Sequence, residues 1–157
     1  MSITPCLWFD GNAREAVNFY VSLFSNSRID NVSTYPTDVP GRKQGDVMMI
    51  EFTLDGRAYQ ALNGGPAFKF SPAVSMVAYC DTQEEVDRLW TALAEGGGHG
   101  QCGWLTDRFG VWWQVVPRQL LPLLDAPDRA AARRAFDAMR GMKKFEIAAL
   151  EADFAGR

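Results

Sequence analysis

The sequence lacks any apolar run near the ~20 residues that a membrane-spanning helix needs. Residues 1–11 have neither the basic start nor the apolar stretch of a secretion signal. It also lacks an excess of positive charge, since 16 Lys and Arg stand against 19 Asp and Glu and give a formal net charge of −3. A basic surface is what nucleic acids and anionic membranes attract. We therefore expect a cytoplasmic protein with no nucleic-acid partner and no membrane association.

Cysteine and histidine are scarce. The three cysteines, Cys6, Cys80 and Cys102, do not have the Cys-x-x-Cys spacing of a zinc or redox site. One histidine, His99, cannot build a multi-histidine metal site. A Ser-His-Asp triad needs a rigidly held histidine, and the glycine-rich segment around His99 does not provide this. We expect Cys6 and Cys80 to be buried in apolar stretches and His99 to be a solvated loop residue. Cys102 lies in a polar segment and stays a candidate catalytic thiol.

The chain has the length of about one domain, and we predict a single domain over residues 1–157. Within residues 1–65, apolar side chains recur at every second residue, then about every 3.6 residues, and then again at every second residue. These spacings are typical of a strand, a helix and further strands. An Asp-Gly pair between the last two apolar runs is typical of a hairpin. The predicted elements are a strand over Ile3–Phe9, a helix with its apolar face between Ala13 and Phe24, and strands over Ile29–Tyr35, Val47–Leu54 and Ala58–Leu62.

Residues 66–117 repeat this order. The apolar face of the first helix aligns with that of the second, and Gly56–Gln60 aligns with Gly110–Gln114. The predicted elements are a strand over Ala73–Cys80, a helix over Gln83–Glu95 after an Asp-Thr cap, and strands over Gln101–Leu105 and Val111–Val116. The repeat predicts two βαβββ modules, over residues 1–65 and 66–117.

Residues 118–157 have helical periodicity throughout, in three short segments. Helices this short rarely stand alone, so we expect this C-terminal extension to pack on a sheet or on another subunit. The predicted fold class is α+β, with paired βαβββ modules followed by C-terminal helices.

Paired βαβββ modules resemble the vicinal-oxygen-chelate superfamily of glyoxalase I, bleomycin-resistance proteins and extradiol dioxygenases. In that superfamily each module curls its strands around a cup-shaped site. Longer motifs resemble the PhnB-like subfamily, also labelled the 3-demethylubiquinone-9 3-methyltransferase domain. These motifs are Val17–Tyr20, Ala61–Pro66, Phe68–Phe70, Gly100–Leu105, Trp113–Pro117 and the tail Met142–Glu151.

The resemblance also provides a test for a metal, because metal-bearing relatives use one ligand from the first and one from the last strand of each module. The matching positions here are Thr4 or Pro5, Gln60 with Tyr59 as its one-residue alternative, Ser75 and Gln114. None of them is His, Asp, Glu or Cys, and neutral oxygens compete poorly with water for transition metals. We therefore expect no metal and no cofactor, with Gln60 and Gln114 offering uncharged amides to a polar ligand.

Several further residues are predicted to contact that ligand. If Gln114 faces the cup, strand alternation places Trp112 there as well. Trp8 and Trp104 supply aromatic walls, and Asn63 and Gln101 supply polar groups; the alternative for each aromatic ring is a place in the core. Glu51 is the acidic residue inside the apolar run Val47–Leu54. It is a candidate general base or cation partner if its face lines the cup, and otherwise an edge or solvent-facing residue.

The leading hypothesis is a metal-independent protein that binds a small molecule and forms a homodimer, with the pairing of modules within one chain or across two left open. The alternative is an enzyme of the lyase, isomerase or oxygenase kind that uses Glu51 or Cys102. A third possibility is a structural dimer whose cup is filled by side chains. Methyl transfer is disfavoured, because the first turn, Asp10–Ala13, has one glycine and the element order is not that of a Rossmann sheet.

Overall fold

A computed structural model describes residues 3–157 of the chain. They divide into two compact units, Met1–Lys69 and Phe70–Arg157. The division falls in the segment that connects the two predicted modules, and the C-terminal extension belongs to the second unit.

The first unit contains one helix and one four-stranded sheet. The elements are β1 (Cys6–Phe9), α1 (Ala13–Leu23), β2 (Arg28–Thr34), β3 (Val47–Leu54) and β4 (Arg57–Asn63). The strands have the order β1-β4-β3-β2, in which β1 and β4 are parallel and the other pairs are antiparallel. This is the βαβββ order that the sequence predicted.

The second unit repeats the arrangement and adds three helices. The elements are β5 (Met76–Cys80), α2 (Gln83–Ala94), β6 (Gly98–His99), β7 (Trp104–Thr106), β8 (Trp112–Pro117), α3 (Leu120–Leu124), α4 (Arg129–Gly141) and α5 (Ile147–Ala155). The sheet has the order β5-β8-β7-β6, again with the first and last strands of the module parallel. The predicted α+β fold of two βαβββ modules with C-terminal helices is confirmed.

Each module helix packs on one face of its own sheet. In the first unit the buried side of α1, which includes Ala16, Val17 and Tyr20, lies on the face of β3 that carries Ile50 and Phe52. In the second unit α2 covers the face of β8 that carries Trp113 and Val115, which are 2% and 0% exposed. Since successive strand residues point to opposite faces, the intervening residues of β3, β4 and β8 lie on the other side, which we call the open face of each sheet.

The glycine-rich segment before β7 differs from the prediction. Gly98 and His99 form the short strand β6, and the predicted strand over Gln101–Leu105 begins only at Trp104. A Cβ atom on Gly97 would lie 2.0 Å from the Thr106 carbonyl oxygen, so glycine is what allows this close approach. His99 is therefore a strand residue and not a loop residue, but it is exposed as predicted, and its ring stacks on Trp90 at a centroid distance of 5.1 Å.

Cysteine burial was predicted correctly at one of two positions. Cys80 is fully buried, and burial raises the pKa of its thiol to about 11. Cys6 is exposed, contrary to the prediction, because it lies on the open face of an edge strand. Loss of water around its sulfur still raises the pKa of the Cys6 thiol, so the group is protonated at neutral pH.

Across residues 3–157, no helix combines the length and the apolar character needed to cross a membrane.

A buried carboxylate holds the turn between β7 and β8. Asp107 is 2% exposed. Its Oδ1 accepts hydrogen bonds from the backbone N–H groups of Phe109 and Val111, at 2.8 and 3.0 Å, and its Oδ2 accepts one from the Trp113 indole at 2.9 Å. The Asp-x-x-Gly sequence indicates a turn of this kind, but its burial depends on the position of Trp113.

We expect Asp107→Ala to destabilise the protein by about 2–4 kcal/mol, because it removes the acceptor of three donors, two of them buried and one partly buried. Asp128→Ala is the matched control, since Asp128 accepts from two backbone N–H groups at the exposed start of α4. Losing such a cap costs about 1 kcal/mol. Urea unfolding followed by circular dichroism measures both; an equal or smaller loss for Asp107→Ala contradicts this account.

Candidate functional site

A row of polar side chains crosses the open face of the first sheet. The register pairs Cys6 with Gln60, Gln60 with Glu51, and Glu51 with Asn31, so one residue from each strand stands in line. The Gln60 amide donates to a Glu51 carboxylate oxygen at 3.4 Å. Glu51 is exposed and Gln60 is half-buried. The row therefore offers an amide and a carboxylate side by side to a bound molecule.

An apolar row lies next to this polar one. It consists of Trp8, Leu62 and Met49, which the same register places in line across β1, β4 and β3. The Trp8 indole N–H donates to the Gly65 carbonyl oxygen at 2.8 Å, and the Phe68 ring packs edge-on against it at 5.1 Å. The open face of the first sheet is thus amphipathic, with a rigid aromatic ring at one end.

The open face of the second sheet has the same components. Gln114 donates through its Nε2 to the Ser75 hydroxyl at 2.9 Å, which uses one of the hydrogen-bonding positions of the amide. Trp104 is paired with Gln114 in the register, and the Trp112 ring packs edge-on against Trp104 at 6.3 Å. Both tryptophans are half-buried. An amide beside two aromatic rings suits a flat or partly polar ligand.

The two glutamines occupy equivalent positions. Each lies in the last strand of its module and is paired, in parallel, with the first strand, opposite Cys6 in one case and Val77 in the other. The alignment of Gln60 with Gln114 by the repeat is therefore reproduced by the register. Thr4 and Ser75 each precede these partners by two residues, and the hydrogen bond from Gln114 places Ser75 beside it.

Asn63 does not lie on an open face, unlike the predicted ligand contacts Gln60 and Gln114. It is 3% exposed on the helix side of β4. Its side-chain oxygen accepts from the Ala13 N–H at the start of α1, and its amide nitrogen donates to the Val47 carbonyl oxygen. The Tyr35 hydroxyl donates to its backbone oxygen at 2.7 Å. Asn63 therefore caps a helix, a role that the sequence analysis missed because the helix starts 50 residues earlier.

Cys102 lies within an apolar cluster. Its thiol donates to the Met139 carbonyl oxygen at 3.6 Å and contacts the cluster formed by Val116, Leu120, Phe145 and Leu150. Gln101, its neighbour, is exposed in the turn, and its carbonyl oxygen accepts from the Trp104 N–H. Neither residue is in a β-strand, so strand alternation does not place them on the open face.

The C-terminal tail is fixed to both α2 and this turn. The Cys102 and Gly103 N–H groups donate to the carbonyl oxygens of Met142 and Lys143, at 2.8 and 2.7 Å. Lys144 pairs with Asp87 and, at 2.9 Å, with Glu146. The Lys144 hydrogen bond lowers the pKa of Asp87, and the hydrogen bonds to both carboxylates raise the pKa of Lys144. The turn just before Trp104 is therefore hydrogen-bonded to the tail, and the tail is in turn paired with α2.

Within residues 3–157, no group of three or more His, Cys, Asp or Glu side chains is arranged to hold a metal ion. The four positions that would hold metal in the resembled superfamily carry hydroxyl or amide side chains here, or the donor-free ring of Pro5, and hydroxyl and amide groups are weak ligands for transition metals. The donor set does not fit a tight metal centre.

The chain thus has two βαβββ modules of the same design. Each module has a helix on one face of its sheet and an amide with aromatic side chains on the other. The family model of 3-demethylubiquinone-9 3-methyltransferase matches residues 1–116, and the chain belongs to that family. The matched residues end within β8, so α3, α4 and α5 lie outside the family model.

Two solved structures are similar to this chain. The PhnB protein from Bacillus cereus is 36% identical over 74% of this chain and 99% of its own, with a TM-score of 0.68. Protein PA1353 from Pseudomonas aeruginosa is 27% identical over 74% of this chain and 97% of its own, with a TM-score of 0.61. The comparison with curated proteins gave no match. The PhnB-like resemblance is thereby confirmed.

The position of Trp8 depends on Gly64. A Cβ atom on Gly64 would lie 2.3 Å from the Trp8 ring, so we expect Gly64→Ala to displace the indole and break its hydrogen bond to Gly65. Such crowding costs about 1–3 kcal/mol. Gly141→Ala is the control, because its Cβ would meet nothing within 4 Å. Intrinsic fluorescence and urea unfolding measure the two variants; indistinguishable results would contradict the close packing.

Proposed function

We propose that this chain binds a small molecule on the open faces of its sheets without a metal ion. The observation that carries the proposal is the equivalent placement of Gln60 and Gln114, each in the last strand of its module and each opposite the helix-covered face. An uncharged amide can both donate to and accept from a polar ligand. The aromatic side chains of Trp8, Trp104 and Trp112 supply apolar contact area beside it.

Residues that stabilise the fold are not among the proposed contacts. The Asn63 amide is engaged with Ala13 and Val47, and the Cys102 thiol faces an apolar cluster. Gln101 stays a proposed contact, since it is exposed one turn before Trp104. The proposed ligand contacts are therefore Gln60, Gln114, Trp8, Trp104, Trp112 and Gln101.

Methyl transfer is not part of the proposal, although the family description names it. Nucleotide cofactors bind in parallel α/β sheets at a glycine-rich turn, where the amides of the first helix are free to meet the ligand. Here the Ala13 amide is occupied by the Asn63 side chain at 3.0 Å, and each sheet contains one parallel strand pair. These residues do not fit S-adenosylmethionine at the first turn.

Catalysis is the second candidate function, and the position of the Glu51 carboxylate favours it. Its carboxylate stands on the open face of β3, within hydrogen-bond distance of Gln60. A carboxylate so placed is able to take a proton from a ligand held by the amide. Turnover of a bound molecule that is lost in Glu51→Gln, with binding retained, is the result that would establish it.

We further propose that the chain acts in the cytoplasm as a homodimer. Val77 and Tyr79 support the dimer, since these apolar side chains on edge strand β5 are 43% and 46% exposed. Light scattering at micromolar concentration tests this part, and a monomer would contradict it.

The binding proposal is tested by thermal shifts with a panel of small metabolites, because a ligand of the folded state raises Tm. We expect at least one compound to bind, and Gln114→Ala or Gln60→Ala to weaken it about tenfold through loss of a hydrogen bond. Gln44→Ala, an exposed glutamine in the loop before β3, is the matched control. S-Adenosylmethionine is expected to give no shift.

The same assay with EDTA-treated protein separates metal-independent binding from metal-dependent binding. Equal shifts before and after treatment are expected. Compounds that raise Tm only after a metal ion is restored would contradict the proposal. So would compounds whose binding is weakened by neither Gln60→Ala nor Gln114→Ala.

A further inference from the structure

A groove between α3 and α4 is not part of the open faces and lies outside the residues matched by the family model. It has a volume of about 330 Å³ and is lined by Leu124, Arg129, Ala132, Arg133 and Phe136. Small-molecule sites have volumes of roughly 300–1,000 Å³, so the groove has room for one small ligand.

The walls of the groove are apolar. Arg129, Ala132, Arg133 and Phe136 follow the three- and four-residue spacing that places residues on one side of a helix. Phe136 is 45% exposed there, in a groove that Leu124 and Ala132 also line. An exposed apolar patch with charged groups around it is typical of a binding surface.

The charged groups at the groove are mainly cations. Arg129 donates to the carbonyl oxygens of Leu124 and Ala126, at 3.1 and 3.3 Å, which holds its guanidinium near the end of α3. Arg133 contacts Asp137 at 3.7 Å, and both side chains of that pair are mostly exposed. The first turn of α4 carries no acidic residue. The two arginines, one turn apart, repel each other, and an anion between them would relieve this repulsion.

The charge of the surrounding segment has the same sign. Residues 118–144 contain seven Lys or Arg and three Asp, in a chain whose formal net charge is −3. The segment that carries the groove is thus basic in an acidic chain, and two of its arginines, Arg129 and Arg133, line the groove itself. This charge favours an anion, and the apolar walls favour one with a hydrophobic body.

We propose that the α3–α4 groove binds a small organic anion with an apolar body, such as a medium-chain or aromatic carboxylate. The carboxylate lies between the Arg129 and Arg133 guanidinium groups, which match its planar geometry. The apolar body lies against Leu124, Ala132 and Phe136. This site is separate from the proposed function and does not depend on it.

Calorimetric titration of the full-length protein with decanoate tests the proposal. We expect saturable binding of decanoate, with an affinity that falls as the salt concentration is raised. Arg133→Gln should lower this affinity by about fivefold or more, because a charge-assisted hydrogen bond is lost. Phe136→Ser is expected to weaken it as well. Arg133 is a mostly exposed residue, so its replacement does not threaten folding. Arg57→Gln, at the exposed start of β4, is the matched control and should bind as the original protein does.

Charge selectivity and saturation distinguish decanoate binding in the groove from nonspecific adsorption and from membrane contact. Decyltrimethylammonium, which has the same chain and the opposite charge, is expected not to bind. Equal binding of that cation, no saturation with decanoate, or equal affinities in all three variants would overturn the proposal. Arg133-dependent binding to phosphatidylglycerol vesicles without binding of free decanoate would also overturn it, since the surface would then be a membrane contact.

Discussion

Parallel pairing of the first and last strands is the constraint on which each module depends. Two parallel neighbours need a crossover connection, and here a helix together with two further strands provides it. The helix can cover only one face of the sheet. Strand alternation then sends Tyr59 and Trp113 to the helix side, and Gln60 and Gln114, one residue later, to the open side. The core and the candidate site are therefore consequences of the same register.

The two modules share this register but stabilise their helices differently. Helix α1 is capped by the Asn63 side chain from β4, whereas α2 is capped by Thr82, the residue directly before it. Pro117, which ends β8 as Asn63 ends β4, has no side-chain oxygen to offer. Asp107 fixes the hairpin of the second module from the inside, while the first module uses the Asp55-Gly56 turn. The repeat thus preserves the strand pairing and varies the polar groups that support it.

Much of the fold was predictable because apolar periodicity is a local signal. Strand β3 was predicted with its observed bounds, Val47–Leu54, and the apolar faces of both module helices were identified. Strand β6 was missed because two residues among glycines have no periodicity. Cys6 was predicted to be buried because an apolar run does not show which face of an edge strand is covered. The placement of Gln114 and Trp112 on one face of β8 needed only strand alternation and could be predicted, whereas the Asn63 cap needed tertiary contacts and could not.

The C-terminal extension, whose tail Met142–Glu151 is one of the motifs shared with the family, also supports the second module. Gly103 has a φ of 77°, and a Cβ atom there would lie 2.5 Å from the Phe145 ring. Phe145 is 1% exposed in the cluster that also contains Val116, and the backbone of the tail accepts hydrogen bonds from the turn just before Trp104. The tail thereby buries the end of β8 and fixes the direction in which β7 begins. Since Trp104 is the first residue of β7 and the register partner of Gln114, the extension determines how rigidly the aromatic part of the candidate site is presented.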